Sequence, residues 1–283
     1  MLKLFRKLKK YIPFFKAGSI NAMAYKFNTF SWFIISLIQF FAVIFLWIAI
    51  YKNSENGINS VINGFTFKEI IVYMLFTQIF NFSTFDSQTV ETIDDEIHDG
   101  TIALSFIKPI SYRLRLLATH YGINTFTIVV LGLPCLVIAY VVFFVIGYIP
   151  HYNVFQLIHH IFFFILSQIL ACTIFDTVNY ICGILCFYTT AGWGLNQTKE
   201  VVVSFLSGSM LPLAFFPGAF GKVIKALPFA GLTQDPVMIL LGKFSLQQEF
   251  LLVVKNIFWL VILELIGRIL FIHASKKLTV QGG

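Results

Sequence analysis

Hydrophobic residues in this chain come in long unbroken runs, with no regular alternation against polar positions. No Asp, Glu, Lys or Arg occurs from Phe27 to Tyr51, from Leu116 to Phe175, from Thr177 to Thr198 or from Val201 to Gly221. A helix needs about 20 apolar residues to cross a ~30 Å hydrocarbon core. The first run therefore supplies one crossing, and the run from 116 to 175 is long enough for two. The pattern predicts an all-α integral membrane protein forming a single transmembrane domain over 1–283, with six transmembrane helices at 28–51, 67–86, 116–147, 154–187, 199–213 and 250–273. Span two is short and carries Gln78 and Asn81. Pro134 is expected to kink span three. The string 147–153, with Gly147 and Pro150, and the segment Thr189–Asn196, with Gly192, Trp193 and Gly194, are turns by composition.

Two stretches depart from this pattern. Over residues 2–16, Leu4, Leu8, Ile12 and Phe15 fall on one helical face and Lys3, Lys7 and Lys10 on another. That is the signature of an amphipathic helix lying in the headgroup plane, so 1–26 is read as an N-terminal interfacial segment that Pro13 kinks or ends. Residues 212–248 are apolar yet broken by Pro212, Pro217, Gly218, Gly221, Pro228, Gly231, Pro236 and Gly242. Non-helical backbone at membrane depth is tolerated only where protein or a wet cavity shields it. Residues 214–248 are therefore expected to form a re-entrant helical hairpin on the extracellular side, between spans five and six. Pro212, Phe216, Pro217, Gly218, Pro228 and Pro236 would frame it as a gate.

Composition removes several function classes. The chain is 58% hydrophobic and 12% charged, with a mean hydropathy of +0.84, whereas a soluble domain carries roughly 25% charged residues. The net charge of +7 does not indicate nucleic acid, because seven of the twenty Lys/Arg lie in the first 26 residues, beside the first span, and no basic groove with interleaved aromatics is visible. By the positive-inside rule that cluster, with Lys108, Arg113, Arg115, Lys276 and Lys277, places both termini in the cytoplasm of a multi-pass plasma-membrane protein. The first apolar run is too long for a signal-peptide core and is read as an uncleaved span.

Candidate chemistry is sparse. Cys135, Cys172, Cys182 and Cys186 all sit in apolar runs and are read as buried thiols. His159 and His160 are adjacent, face different ways on a helix and have no carboxylate nearby in sequence, so no metal site is expected. No catalytic triad, carboxylate pair or His-Glu-x-x-His string occurs. A phosphate-binding loop needs Gly-x-x-x-x-Gly-Lys-Ser/Thr; Gly221-Lys222-Val223 and Gly242-Lys243-Phe244 lack the spacing and the hydroxyl. The chain is expected to be neither an enzyme nor a motor, and to hold no cofactor of its own. Ionisable groups inside spans are expensive and face the bundle interior. Asp176 stands alone in span four with Asn179 one turn on. Glu264 and Arg268 are spaced to pair with each other on span six, and Lys255 is expected to snorkel.

The segment 88–115, cytoplasmic between spans two and three, carries the densest charge. Val90, Ile93 and Ile97 line one helical face of Glu91-Thr92-Ile93-Asp94-Asp95-Glu96-Ile97-His98-Asp99-Gly100, with Glu91, Asp94 and Asp95 turned elsewhere. Gly100 is placed to end that helix, and Ser111 can cap the next. An apolar strip beside an acidic face suits docking to another protein; a solvated connector is the alternative.

Glu96-Ile97-x-x-Gly100, then Ile102, Leu104 and Lys108-Pro109-Ile110, resembles the coupling segment of the permease subunit of type-2 ABC exporters, in the branch whose membrane subunits pair with a separate ATPase. Phe205-Leu206-Ser207-Gly208-x-x-Leu211-Pro212-Leu213-x-x-Phe216-Pro217 is similar to that family's span-five end, and Leu227-Pro228-Phe229, Pro236 and Leu241-Gly242 to the rest of its hairpin. The terminal Gly282-Gly283 also fits. The resemblance implies that the 91–109 segment docks on a nucleotide-binding subunit holding ATP and Mg, and that a second permease copy, identical or paralogous, completes a translocation path in the lipid bilayer. Two other classes remain open on the residues alone. An ion-coupled carrier would show paired broken helices in two halves, and a membrane-embedded enzyme would cluster its acids, bases or ligands.

Overall fold

A computed structural model describes residues 9–84, 88–150, 152–189 and 191–277. The expectations for Lys3, Leu4, Lys7 and Leu8, for the 85–87 end of span two and for Gly282-Gly283 fall outside those residues. The described chain is almost wholly helical, with one two-residue hairpin, β1 (Val61–Ile62) against β2 (Phe65–Thr66). The helices are α1 (Ile12–Ala24), α2 (Lys26–Lys52), α3 (Phe67–Thr84), α4 (Thr89–His98), α5 (Ile102–Ile107), α6 (Tyr112–Thr127), α7 (Leu133–Val145), α8 (Val154–Leu185), α9 (Gly192–Ser207), α10 (Gly218–Ala226), α11 (Gln234–Leu240) and α12 (Leu246–Ala274).

Among the described residues, four stretches are long and apolar enough to cross a bilayer: α2, α6 with α7 over Tyr112–Val145, α8 and α12. The apolar window of α8 is 61% buried, against 11%, 17% and 17% for the others. So α8 is the axis of the bundle, and the other three turn most of their apolar surface outward, as lipid-facing helices do. Phe27, Phe45, Val145 and Phe155 are among the exposed side chains. At 1.5 Å per residue, α3 and α9 reach only ~27 Å and ~24 Å and are not among the four.

Local chemistry explains the joints. Pro13 stands in the first turn of α1, where its missing N–H costs nothing. Helix α1 crosses α6 at glycine against backbone: a Cβ on Gly18 would strike the Thr119 carbonyl, and one on Gly122 the Phe15 carbonyl. Ser19 Oγ donates to the Gly122 carbonyl there at 2.9 Å. The strain that Pro134 places on the preceding turn is taken up by a π-helical stretch at Ile128–Gly132, which joins α6 to α7 without breaking them. Capping boxes start α8 (Asn153 with Gln156) and α12 (Ser245 with Gln248). Helix α9 begins at Gly192, ahead of the expected Lys199, and ends where Gly208 turns left-handed at φ 84°.

The apolar core has two main parts at opposite ends of α8. One gathers Tyr51, Tyr73, Phe76, Phe164 and Ile239; the other holds Ile93, Ile102, Tyr112, Tyr180 and Ile184. Residues 213–240 form a succession of short pieces: a 3-10 turn at Leu213–Phe215, α10, a second 3-10 turn at Pro228–Gly231, and α11. Pro228 opens one of these turns, Pro236 sits in the first turn of α11, and Pro217 with Gly218 (φ 57°) precedes α10. No run here exceeds nine residues, because each proline removes a donor and each left-handed glycine reverses the chain.

Candidate functional site

Helix α4 packs its apolar strip inward. Val90 and Ile93 are fully buried, and Ile93 lies so close to Gly183 on α8 that any side chain at 183 would overlap it. Gly100 is left-handed at φ 70° and turns the chain into α5, whose Ile102 is also buried. Ile97 packs against the same cluster.

The carboxylates of α4 are mostly engaged within the chain. Glu91 Oε1 accepts from Asn196 Nδ2 at 2.8 Å. Glu96 takes both oxygens to Arg115 Nη2 at 2.7 and 2.8 Å and accepts from the Tyr112 hydroxyl at 3.0 Å. Asp94 sits against Gly192, whose missing Cβ makes the room. So Gly192 serves a close approach in the first turn of a helix, not the loop expected there. What remains outward is Glu91 (despite its bond to Asn196), Asp95, His98, Asp99, Gly100, Thr101, Leu104, Ile107, Lys108 and Pro109. Leu104 is 55% and Ile107 80% exposed, leaving an apolar step beside two carboxylates. Lys10 Nζ donates to the Pro109 carbonyl at 2.8 Å, and the Tyr11 hydroxyl accepts from the Ser111 N–H at 2.9 Å, so the chain ahead of α1 braces this segment.

Above α4 lies a buried polar network. Asp176, in the middle of α8, has no solvent exposure. It is ion-paired with Arg113, accepts from the Thr89 hydroxyl at 2.8 Å, and has His120 Nδ1 at 2.7 Å. Arg113 also reaches Glu264 on α12 at 2.6 Å and the Thr177 hydroxyl at 2.9 Å. One guanidinium thus joins α6, α8 and α12, and Thr89 ties in the first residue of α4. A second chain runs from Glu91 through Asn196 to Lys199, which is buried and donates to Asn196 Oδ1 at 2.7 Å and to Asn179 Oδ1. The planar fork of Arg113 suits such multiple pairing better than a lysine would.

Three readings need correction. Glu264 is paired with Arg113, not with Arg268, which is exposed one turn on. A buried carboxylate at Asp176 draws the guanidinium inward, and Glu264 closes the same fork. Lys255 does not snorkel freely, because its ammonium meets Asp235 at 2.7 Å and the Lys225 carbonyl at 3.2 Å. His159 and His160 do have a carboxylate partner: Glu249, from α12, stands between them. Thr89, His120, Asn196 and Lys199 were not singled out by sequence as site residues, and Arg113 entered only as a cytoplasmic charge. Their signal is a bookkeeping one: Asp176 and Glu264 lie in apolar spans and need a cation, and Arg113, just ahead of the uncharged run 116–175, supplies it to both.

At the other end of α8, the 213–240 segment is tied to its neighbours. Gln234 Oε1 accepts from the Leu213 N–H at 2.7 Å, and the Tyr73 hydroxyl donates to the Gly208 carbonyl at 2.8 Å. Trp259 Nε1 donates to the Ala226 carbonyl at 2.8 Å. Pro212, Pro228 and Pro236 are buried, Phe216 is half-buried, and Pro217 and Gly218 are exposed. Phe216 stacks edge-on with Phe205 of α9, ring centroids 4.9 Å apart.

Compared with known proteins, residues 37–282 match a family model described as ABC-2 family transporter protein. No match was found among curated proteins or solved structures.

Proposed function

Because the chain belongs to the ABC-2 family of transporter proteins and is a type-2 ABC permease subunit, we propose that it is the membrane half of an ATP-driven exporter, driven by a separate nucleotide-binding subunit docked at 91–109. The membrane component of such a transporter is not itself an enzyme. ATP and Mg belong to the partner in this reading. Six spans cross the plasma membrane, α3 and α9 completing the set with α2, α6–α7, α8 and α12. Both termini are cytoplasmic, and 214–248 is a re-entrant hairpin that gates the outer mouth. A second permease copy faces this one across the translocation path.

One observation carries the docking assignment. The buried side of α4 is wired into three spanning helices through Thr89, Asp176, Arg113 and Glu264, while the outward side of the same segment leaves Leu104 and Ile107 uncovered. A push on that outer side moves a rigid polar junction, and that is what coupling a motor to a path requires. The uncovered pair is the apolar anchor a groove on the ATPase would take, with Asp95 and Asp99 at its rim.

The test is reconstitution with the cognate nucleotide-binding subunit in lipid. Ile107→Asp and Leu104→Asp alter exposed side chains, so folding and insertion should survive, while co-purification and stimulated ATP hydrolysis should fall at least tenfold. Unchanged stimulation in both variants refutes the docking site. An ion-coupled carrier would instead transport with no ATPase present.

A further inference from the structure

The end of the bundle far from α4 holds a cluster the transport reading does not use. His159 and His160 open α8, and Glu249 opens α12. His159 Nδ1 lies 2.9 Å from Glu249 Oε2, and His160 Nδ1 meets the other carboxylate oxygen. The three ligand atoms all fall within 4.8 Å of one another. From Asp176 to His160 is ~24 Å along the helix at 1.5 Å per residue, so this cluster is separate from the polar junction.

Glu249 is fully buried, and among the described residues no lysine or arginine pairs with it. A buried carboxylate without a countercharge is costly, and two imidazoles supply one only by holding a proton or by sharing a cation. We propose that His159, His160 and Glu249 form a binding site for a divalent transition-metal ion, with zinc the reference species. Two imidazole nitrogens and one carboxylate are a zinc donor set that leaves a fourth position open, and imidazole selects Zn, Cu, Ni or Fe over Mg and Ca. Around zinc at ~2.1 Å, tetrahedral ligand atoms stand ~3.4 Å apart, near the 2.9 Å between His159 Nδ1 and Glu249 Oε2 and inside the 4.8 Å that bounds all three ligand atoms.

The surroundings are those of a built site. The capping boxes just before each ligand fix where α8 and α12 begin. The Tyr152 ring stands edge-on to His160 with centroids 5.2 Å apart, and its hydroxyl is anchored on the Leu241 carbonyl at 2.7 Å. Phe155 covers His159 at 5.7 Å. His159, 14% exposed at its side chain, gives an ion its way in. A bound ion would clamp α8 to α12 at the end that carries the 213–240 segment.

The experiment uses the full chain in detergent, purified without a histidine tag and stripped with a chelator. Co²⁺ is titrated and its visible ligand-field bands followed, and thermal unfolding is recorded with and without Zn²⁺. The expected result is one saturable Co²⁺ per chain, displaced by Zn²⁺ and not by Mg²⁺, with an unfolding midpoint that rises with Zn²⁺ as ligand linkage requires. His160→Ala and Glu249→Gln should weaken binding at least tenfold, while His98→Ala and His273→Ala, at exposed histidines, should not. Absence of saturable binding to the wild-type chain, which needs no variant to fold, overturns the proposal and leaves a hydrogen-bonded triad only. Full binding retained by a folded Glu249→Gln overturns it equally.

Discussion

Replacing Arg113 by alanine should be the most damaging single change in the polar junction of this chain. The side chain holds Asp176, whose carboxylate has no solvent exposure, and Glu264, which is 37% exposed. These two arms are unequal. Removing one partner of a buried ion pair costs ~3–5 kcal/mol because a desolvated charge is stranded, whereas a partly exposed pair contributes ~1 kcal/mol or less. Asp176 keeps Thr89 at 2.8 Å and His120 at 2.7 Å, which places Arg113→Ala near the lower bound, ~3 kcal/mol. The apolar double variant Arg113→Met with Asp176→Leu strands nothing inside α8 and should recover more than half of that loss, since apolar replacement of a buried pair is often neutral. Unfolding by titrated denaturant in mixed micelles measures Arg113→Ala, the double variant, and its two single changes Arg113→Met and Asp176→Leu. If Arg113→Ala stays within ~0.5 kcal/mol of wild type, or the two single changes simply add, the junction is not the electrostatic unit described here.

Two further changes probe the joints around that unit. Gly122→Leu drives a side chain into the Phe15 carbonyl and should detach α1 from α6, costing ~2–3 kcal/mol as overpacking does, seen as protease cleavage ahead of residue 24 in otherwise folded protein. Thr89→Val keeps shape but removes the only described hydrogen bond from α4 to Asp176; a loss of ~1–2 kcal/mol is expected, together with weaker ATPase stimulation at unchanged co-purification. Equal losses of both would mean that Thr89 shapes the docking surface itself.

The long crossings were legible because an uncharged run of sufficient length has few other uses, and α4 because its apolar strip and Gly100 are local signals. The partners of its charges were not. Glu91 finds Asn196 and Asp176 finds Arg113, contacts between residues far apart in sequence that no periodicity encodes. The i, i+4 rule pointed Glu264 at Arg268, a local pair worth a few tenths of a kcal/mol, but the buried fork of Arg113 offers more. Neighbouring spacing misled in the same way at His159 and His160, since Glu249 arrives from another helix. Gly192 read as a turn because glycine usually punctuates the chain; its task here is to make room for Asp94.

The exporter account rests on a motor gripping the exposed side of 91–109. A photo-reactive phenylalanine analogue at Ile107, 80% exposed, tests that grip directly in membranes that also contain the nucleotide-binding subunit. The expected product is a light-dependent adduct between the two chains, strong at 107 and absent when the analogue replaces Phe27 on the outward face of α2. Adduct formation at neither position, or labelling of residue 107 by an impermeant reagent from outside the cell, would contradict it.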